Sequence, residues 1–241
     1  MVKKSDSFLL EGTNKDTAVV VIHGFTVSPD YMRDIAKDIN DCGYTVYAPM
    51  LAGHGVDEEY FKTASYKDWM QNACDAVQLL KDKGYKKVIA LGHSMGGLLS
   101  LYLAQEKLVD AVISLAAPYH ITRYKKVLFF TTFCKNRFTA MGGNDYRDGY
   151  FRYHSASGKS IGQLVKAIHL IRKNHDKIEC PAFIVNATND KTVVPVSGGI
   201  IYNKISSSEK HYMDIDTEHQ CTIEHRHKYM PQVLEFIKKH S

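Results

Sequence analysis

The chain of 241 residues is 44% hydrophobic and 24% charged, the balance of a folded domain with a sizeable core, which excludes a disordered tail or fibrous repeat. Set against roughly 100–200 residues per domain, the length predicts one large domain or one domain carrying an insertion. Lysine and arginine number 31 and aspartate and glutamate 26, a net charge of +5 that is too mild to argue for nucleic acid.

The first twelve residues carry two lysines and only a short apolar run, Phe8–Leu10, whereas a secretory signal needs a longer apolar centre. Ala18–Ile22 and the other apolar runs are far shorter than the roughly 18 residues of a membrane span. The sequence therefore reads as cytoplasmic. Five dispersed cysteines without a C-x-x-C pair suit reduced thiols rather than a disulfide framework or zinc site.

Ala18–Ile22 predicts a buried strand, and Pro29 and Asp30 open a helix-like stretch that runs toward Asn40 and stops before Gly43. Tyr44–Tyr47 predicts a second strand. From Ser65 to Lys83, Trp69, Ala73, Ala76, Val77 and Leu80 fall on one helix face, with Gly84 placed as a C-cap. Strands at Lys87–Leu91 and Ala111–Leu115 flank a helix at Met95–Gln105. Beyond Pro181, strands at Ala182–Val185 and Lys210–Ile215 alternate with helices near Pro195–Ile205 and Met230–Lys239. This alternation predicts an α/β fold, a mostly parallel, doubly wound sheet covered on both faces.

Residues 119–180 break the rhythm and predict an inserted cap or lid on a core made of residues 1–118 and 181–241. The cap is expected to hold an apolar patch at Val127–Phe130 and Phe133 and a turn at Met141–Asn144. It also predicts a helix burying Ile161, Leu164, Val165, Ile168 and Ile171. It has 12 lysines and arginines against 4 acidic residues, a local charge of +8, together with ten aromatic residues. Either this is a solvated basic surface over an aromatic core, or it steers anionic esters toward the site.

Gly92-His93-Ser94-Met95-Gly96 is a G-x-S-x-G pattern directly after a predicted strand and before a predicted helix. A strand turning sharply into a helix exposes Ser94 at the carboxyl edge of the sheet and aims the Met95 N–H at a developing oxyanion. A serine nucleophile needs a base, and the base needs an orienting acid. Of the twelve histidines, His219 follows the last predicted strand and reaches that same edge. His225 and His227 suit a helix start, His211 lies inside a strand, and His93 faces away by strand alternation. Asp190, after Ala182–Val185, completes the order serine, acid, histidine; Asp214 and Asp216 are rivals too near His219 in sequence. The loop His23-Gly24-Phe25-Thr26 supplies the Phe25 N–H as second oxyanion donor, with His23 a buried residue holding the loop.

These segments, HGFT at His23–Thr26, GHG at Gly53–Gly55, GHSMGG at Gly92–Gly97, Asn189–Asp190 and Glu218–His219, resemble the small bacterial carboxylesterase and monoacylglycerol-lipase branch of the α/β-hydrolases. The resemblance implies a Ser94–His219–Asp190 triad, an oxyanion hole of the Phe25 and Met95 N–H groups, and no metal or organic cofactor. It implies a small-molecule ester substrate in an acyl pocket under a small cap. Glu218 departs from the family, which usually has glycine there. Short- to medium-chain ester hydrolysis is the leading expectation. Monoacylglycerol hydrolysis, acyl transfer or peptide hydrolysis, and ligand binding without turnover are the alternatives.

Overall fold

The computed structural model describes residues 5–122, 136–140 and 152–241. Along the chain, β1 (Phe8–Leu10) and β2 (Thr17–Ile22) precede a short 3-10 turn at Pro29–Met32 and helix α1 (Arg33–Asp41). Then come β3 (Thr45–Ala48), α2 (Glu58–Phe61), α3 (Tyr66–Asp82), β4 (Lys87–His93), α4 (Met95–Gln105) and β5 (Ala111–Leu115). A hairpin of β6 (Phe138–Ala140) and β7 (Ser155–Ser157) is followed by α5 (Gly158–Ile171), β8 (Ala182–Ala187), α6 (Ser197–Lys204), β9 (Lys210–Ile215) and α7 (Met230–His240).

Seven strands form one sheet in the order β1-β3-β2-β4-β5-β8-β9. All pairs are parallel except β1, which runs antiparallel to β3 with Phe8 opposite Ala48 and Leu10 opposite Val46. The two-residue period of a strand divides the core between the faces. Ala18, Val20 and Ile22 of β2 pack with Trp69, Leu80, Leu98 and Leu101, whereas Val19 and Val21 pack with Ile35, Ile39, Val233 and Ile237. Both faces of the central strands are buried, which is why β2 and β5 are mostly apolar on both sides rather than alternating, with Thr17 and Ser114 the polar exceptions.

Local signals fix the helix ends. Ser65 and Asp68 form a reciprocal capping box at the start of α3. At its end Gly84, at φ +94°, lets its N–H donate to the Lys81 carbonyl and that of Tyr85 to the Leu80 carbonyl. The helix expected from Pro195 begins instead at Ser197, because the Ser197 N–H closes a turn onto the Val194 carbonyl. Strand β1, the short helix α2 and the small hairpin add to the expected elements.

The Ser157 hydroxyl accepts from the Ser160 N–H to cap α5. This helix buries Ile161, Ala167, Ile168 and Ile171, with Leu164 and Val165 half-buried. Gln105 of α4 donates to the Ile171 carbonyl, and the Tyr66 N–H of α3 donates to Gln163. The expected patch at Val127–Phe130 and Phe133 and the turn at Met141–Asn144 lie outside the described residues. Among the described residues, no helix is long and apolar enough to cross a membrane.

Candidate active site

Ser94 stands between the end of β4 and the start of α4 at φ 55°, ψ −117°, a conformation that L-residues rarely adopt. The two flanking glycines make this turn possible. A Cβ on Gly92 would overlap the Gly96 backbone, and one on Gly96 would overlap the Ile22 carbonyl of β2. The Ser94 N–H donates to the Leu115 carbonyl of β5 and its carbonyl accepts from Leu98, so the strained residue is held from both sides. Met95 is the first residue of α4, where the N–H lacks an intrahelical acceptor and the helix dipole favours negative charge.

The structure brings together the three side chains expected to act in concert. His219 Nε2 lies 2.9 Å from Ser94 Oγ, and His219 Nδ1 lies 2.6 Å from Asp190 Oδ2. Oδ1 of Asp190 accepts the N–H groups of Thr192 and Val193 at 2.7 and 2.8 Å. Asp190 is 5% exposed, so its carboxylate orientation is set by these donors rather than by solvent. Asp190 and His219 sit on neighbouring loops that follow β8 and β9. The loops are joined by Thr188 N–H to the Ile215 carbonyl, Asn189 N–H to the Thr217 carbonyl, and a Lys191–Glu218 ion pair.

Glu218 does not adopt a positive φ: among the described non-glycine residues only Thr26, Ser94, Lys107 and Ala116 do. The backbone before His219 therefore makes no demand for glycine, and glutamate fits there without strain. The rival acids are committed elsewhere. Asp214 accepts from Asn186 and Tyr212, and Asp216 from Asn189. Of the other histidines, His227 contacts the Glu224 carbonyl and His211 packs on Phe183 and Phe236. His225 precedes a short 3-10 turn at Arg226–Lys228.

Phe25 follows β2 on the loop lying against the serine turn. A Cβ on Gly24 would sit 3.4 Å from both the His93 carbonyl oxygen and Ser94 Cβ, which sets the residue before Phe25 close against Ser94. The Phe25 ring packs 4.8 Å from Phe61 and 6.0 Å from Trp69, fixing the loop from beneath. His23 is fully buried; its Nδ1–H donates to the Gly24 carbonyl and its Nε2 accepts from the Leu51 N–H. Burial pushes the His23 imidazole down to about 4, so it stays neutral and keeps that donor and acceptor pattern.

Behind this loop lies a support that sequence reasoning missed. Tyr153 donates to the Gly53 carbonyl at 2.7 Å and accepts from the Val56 N–H, while its own N–H donates to the Thr26 carbonyl. Trp69 Nε1 donates to the Ala52 carbonyl, and His54 packs 4.9 Å from His23 with its basicity well lowered by burial. The GHG turn and the Phe25 loop thus share one network with the segment that leads into β7. No periodicity or motif marks Tyr153 for this role.

Residues 17–133 match the family model described as the alpha/beta hydrolase fold. The chain is 30% identical to a carboxylesterase of Bacillus subtilis over 230 residues, 93% of each chain. It is 28% identical to a thermostable monoacylglycerol lipase of Bacillus sp. (strain H-257), covering 95% of this chain and 93% of that one. A solved structure of a metagenome-derived lipolytic enzyme superposes with a TM-score of 0.90 at 24% identity, covering 98% of both chains. The monoacylglycerol lipase of Paleococcus ferrophilus superposes at 0.81 with 16% identity over the same shares. Sheet order, serine turn and these likenesses agree: the chain belongs to the α/β-hydrolase family.

Proposed function

We propose that this chain is a serine carboxylic-ester hydrolase that cleaves esters of short to medium acyl chains through an acyl-enzyme intermediate. The observation that carries the reading is the unbroken relay from Ser94 Oγ through His219 to Asp190, with spacings of 2.9 and 2.6 Å. His219 Nε2 takes the Ser94 proton as Oγ attacks the ester carbonyl, and Asp190 stabilises the imidazolium and fixes its tautomer. The tetrahedral oxyanion would be received by the N–H groups of Phe25 and Met95, a reading supported by the Gly24–Ser94 approach and by Met95 at the start of α4. His219 then protonates the departing alcohol, and water repeats the sequence on the acyl-enzyme.

The Bacillus subtilis carboxylesterase supports the ester class, and the Bacillus monoacylglycerol lipase favours a second reading, longer-chain glycerides. An acyl-length series of p-nitrophenyl esters run beside monoacylglycerols separates the two. Highest kcat/KM on short or medium esters supports the first; a strong preference for long-chain monoacylglycerols replaces it. Amide and thioester substrates test for peptidase or acyltransferase activity. Absence of fluorophosphonate labelling would point to a binding protein without turnover, because labelling requires an activated serine.

We read residues 119–180 as a cap, whose Tyr153 donates to the Gly53 carbonyl behind the Phe25 loop. Its charge of +8 is either a solvated basic surface or a field that steers anionic esters. Steering predicts kcat/KM falling with salt for an anionic ester and not for a neutral one, and an equal salt response leaves the solvated surface. Four described cysteines are free, which supports a reducing, cytoplasmic location.

A further inference from the structure

His93 ends β4 one residue before Ser94, and strand alternation alone sets it aside as facing away. Its ring nevertheless turns beneath the loop that carries the base. It is 3% exposed and lies between Tyr31, 5.8 Å away by ring centroids, and His219, 5.1 Å away. Nε2 of His93 is 2.8 Å from the backbone carbonyl oxygen of His219. A carbonyl can only accept, so the proton resides on Nε2 and the lone pair on Nδ1. That Nδ1 is buried without a hydrogen-bond partner among the described residues. Burial, with His219 close by, lowers the basicity of His93 to about 3 and keeps the ring neutral.

The His219 carbonyl also accepts the Cys221 N–H at 3.1 Å, which gives that carbonyl two donors. Asp190 fixes the imidazole end of His219 and these two donors fix its backbone end. Because His93 and Ser94 are adjacent, a single hydrogen bond ties the base's loop to the nucleophile's own strand.

We propose that His93 is a positioning residue for the hydrolysis. By donating from Nε2–H to the His219 carbonyl, it holds the base in register with Ser94 Oγ. The role rests on the triad reading above, and nothing in the G-x-S-x-G pattern assigns it, since that pattern leaves the second position open.

The test compares three substitutions at this position. In H93Q the side-chain amide nitrogen can reach the place of Nε2, in H93N the shorter amide cannot, and in H93F the ring fills the space without a donor. Active sites are counted by the p-nitrophenol burst, so that misfolded protein does not enter kcat. H93F and H93N should lower kcat per titrated site on the order of 10- to 100-fold, with KM within about twofold, because a displaced base costs rate rather than binding. H93Q should recover kcat to within about fivefold of wild type. Equal losses in H93Q and H93F would show that shape, not the donor, matters, and an unimpaired H93F would overturn the role outright.

A readout on the wild-type protein does not depend on how the variants fold. Nitrogen-15 spectra of histidine-labelled enzyme should show His93 as the Nε2–H tautomer with a slowly exchanging ring proton; the Nδ1–H tautomer would overturn the proposal. A wild type that neither hydrolyses esters nor takes a fluorophosphonate would overturn the triad reading, and this role with it. A reactive wild type with an indifferent H93F would overturn this role alone.

Discussion

Replacing Asp190 by asparagine changes one oxygen to an amide nitrogen, and the surroundings decide which one. Oδ1 of Asp190 accepts two backbone N–H groups, from Thr192 and Val193, whereas Oδ2 accepts one imidazole N–H, from His219. Turning the NH2 of the asparagine toward Thr192 and Val193 would set donor against donor twice in a buried site, at about 1–3 kcal/mol for each unsatisfied group. The NH2 therefore faces His219 Nδ1, which must become the acceptor. The ring proton moves to Nε2, the atom 2.9 Å from Ser94 Oγ, and the base can no longer take the serine proton. In a triad of this type the inverted tautomer lowers kcat on the order of 10⁴, about 5 kcal/mol of transition-state stabilisation. The assay is steady-state hydrolysis of p-nitrophenyl butyrate by D190N, with urea unfolding as the check that the loop survives. A folded D190N within about tenfold of wild type would refute the reasoning, because it would mean that the His219 tautomer is not set by Asp190.

Acid should destabilise the fold through its buried histidines. His23 is neutral when folded, with its basicity at about 4, but takes a proton when unfolded below the ordinary 6.5, so the unfolded state binds more protons in that window. Stability is intact above pH 6.5 and lost as pH falls toward 4, by on the order of 3 kcal/mol for His23 alone, with His93 adding in the same direction. Urea midpoints measured from pH 7 downward check this; a flat profile to pH 4 would contradict it. G96A should abolish activity and lower stability by at least about 3 kcal/mol, because its methyl group meets the Ile22 carbonyl, a backbone atom that cannot yield. Circular dichroism and the p-nitrophenol burst read the two effects; an active, stable G96A would refute the contact. E218A should match wild type in kcat and melting temperature, since its partner Lys191 is an exposed side chain and screening leaves such pairs little weight. A large kcat loss would mean that the Lys191–Glu218 pair positions His219 after all.

The parallel sheet was legible because its strands are buried on both faces, so Val19–Ile22 and Ala111–Leu115 announce themselves as apolar runs. Ser65 and Gly84 mark both ends of α3 by capping chemistry that depends only on neighbouring residues. The serine turn was legible for a similar reason: overlap at Gly92 and Gly96 forces glycine at fixed offsets from Ser94. Strand β1 escaped notice because three residues have no usable period, and only the edge of β3 gives Phe8–Leu10 a place. Tyr153 and His93 escaped because their roles depend on partners about a hundred residues away, Gly53 and His219. Alternation along β4 carries no information about the loop beyond β9, whose His219 ring lies 5.1 Å from the His93 ring.

If Ser94 is the nucleophile of an ester hydrolase, S94A must lose the activity. The substitution removes one oxygen atom and leaves the loops of Asp190 and His219 in place. Where chemistry limits turnover, kcat on p-nitrophenyl esters should fall by on the order of 10⁶, with loss of the burst and no fluorophosphonate label. Hydrolysis by folded S94A near the wild-type rate would contradict it.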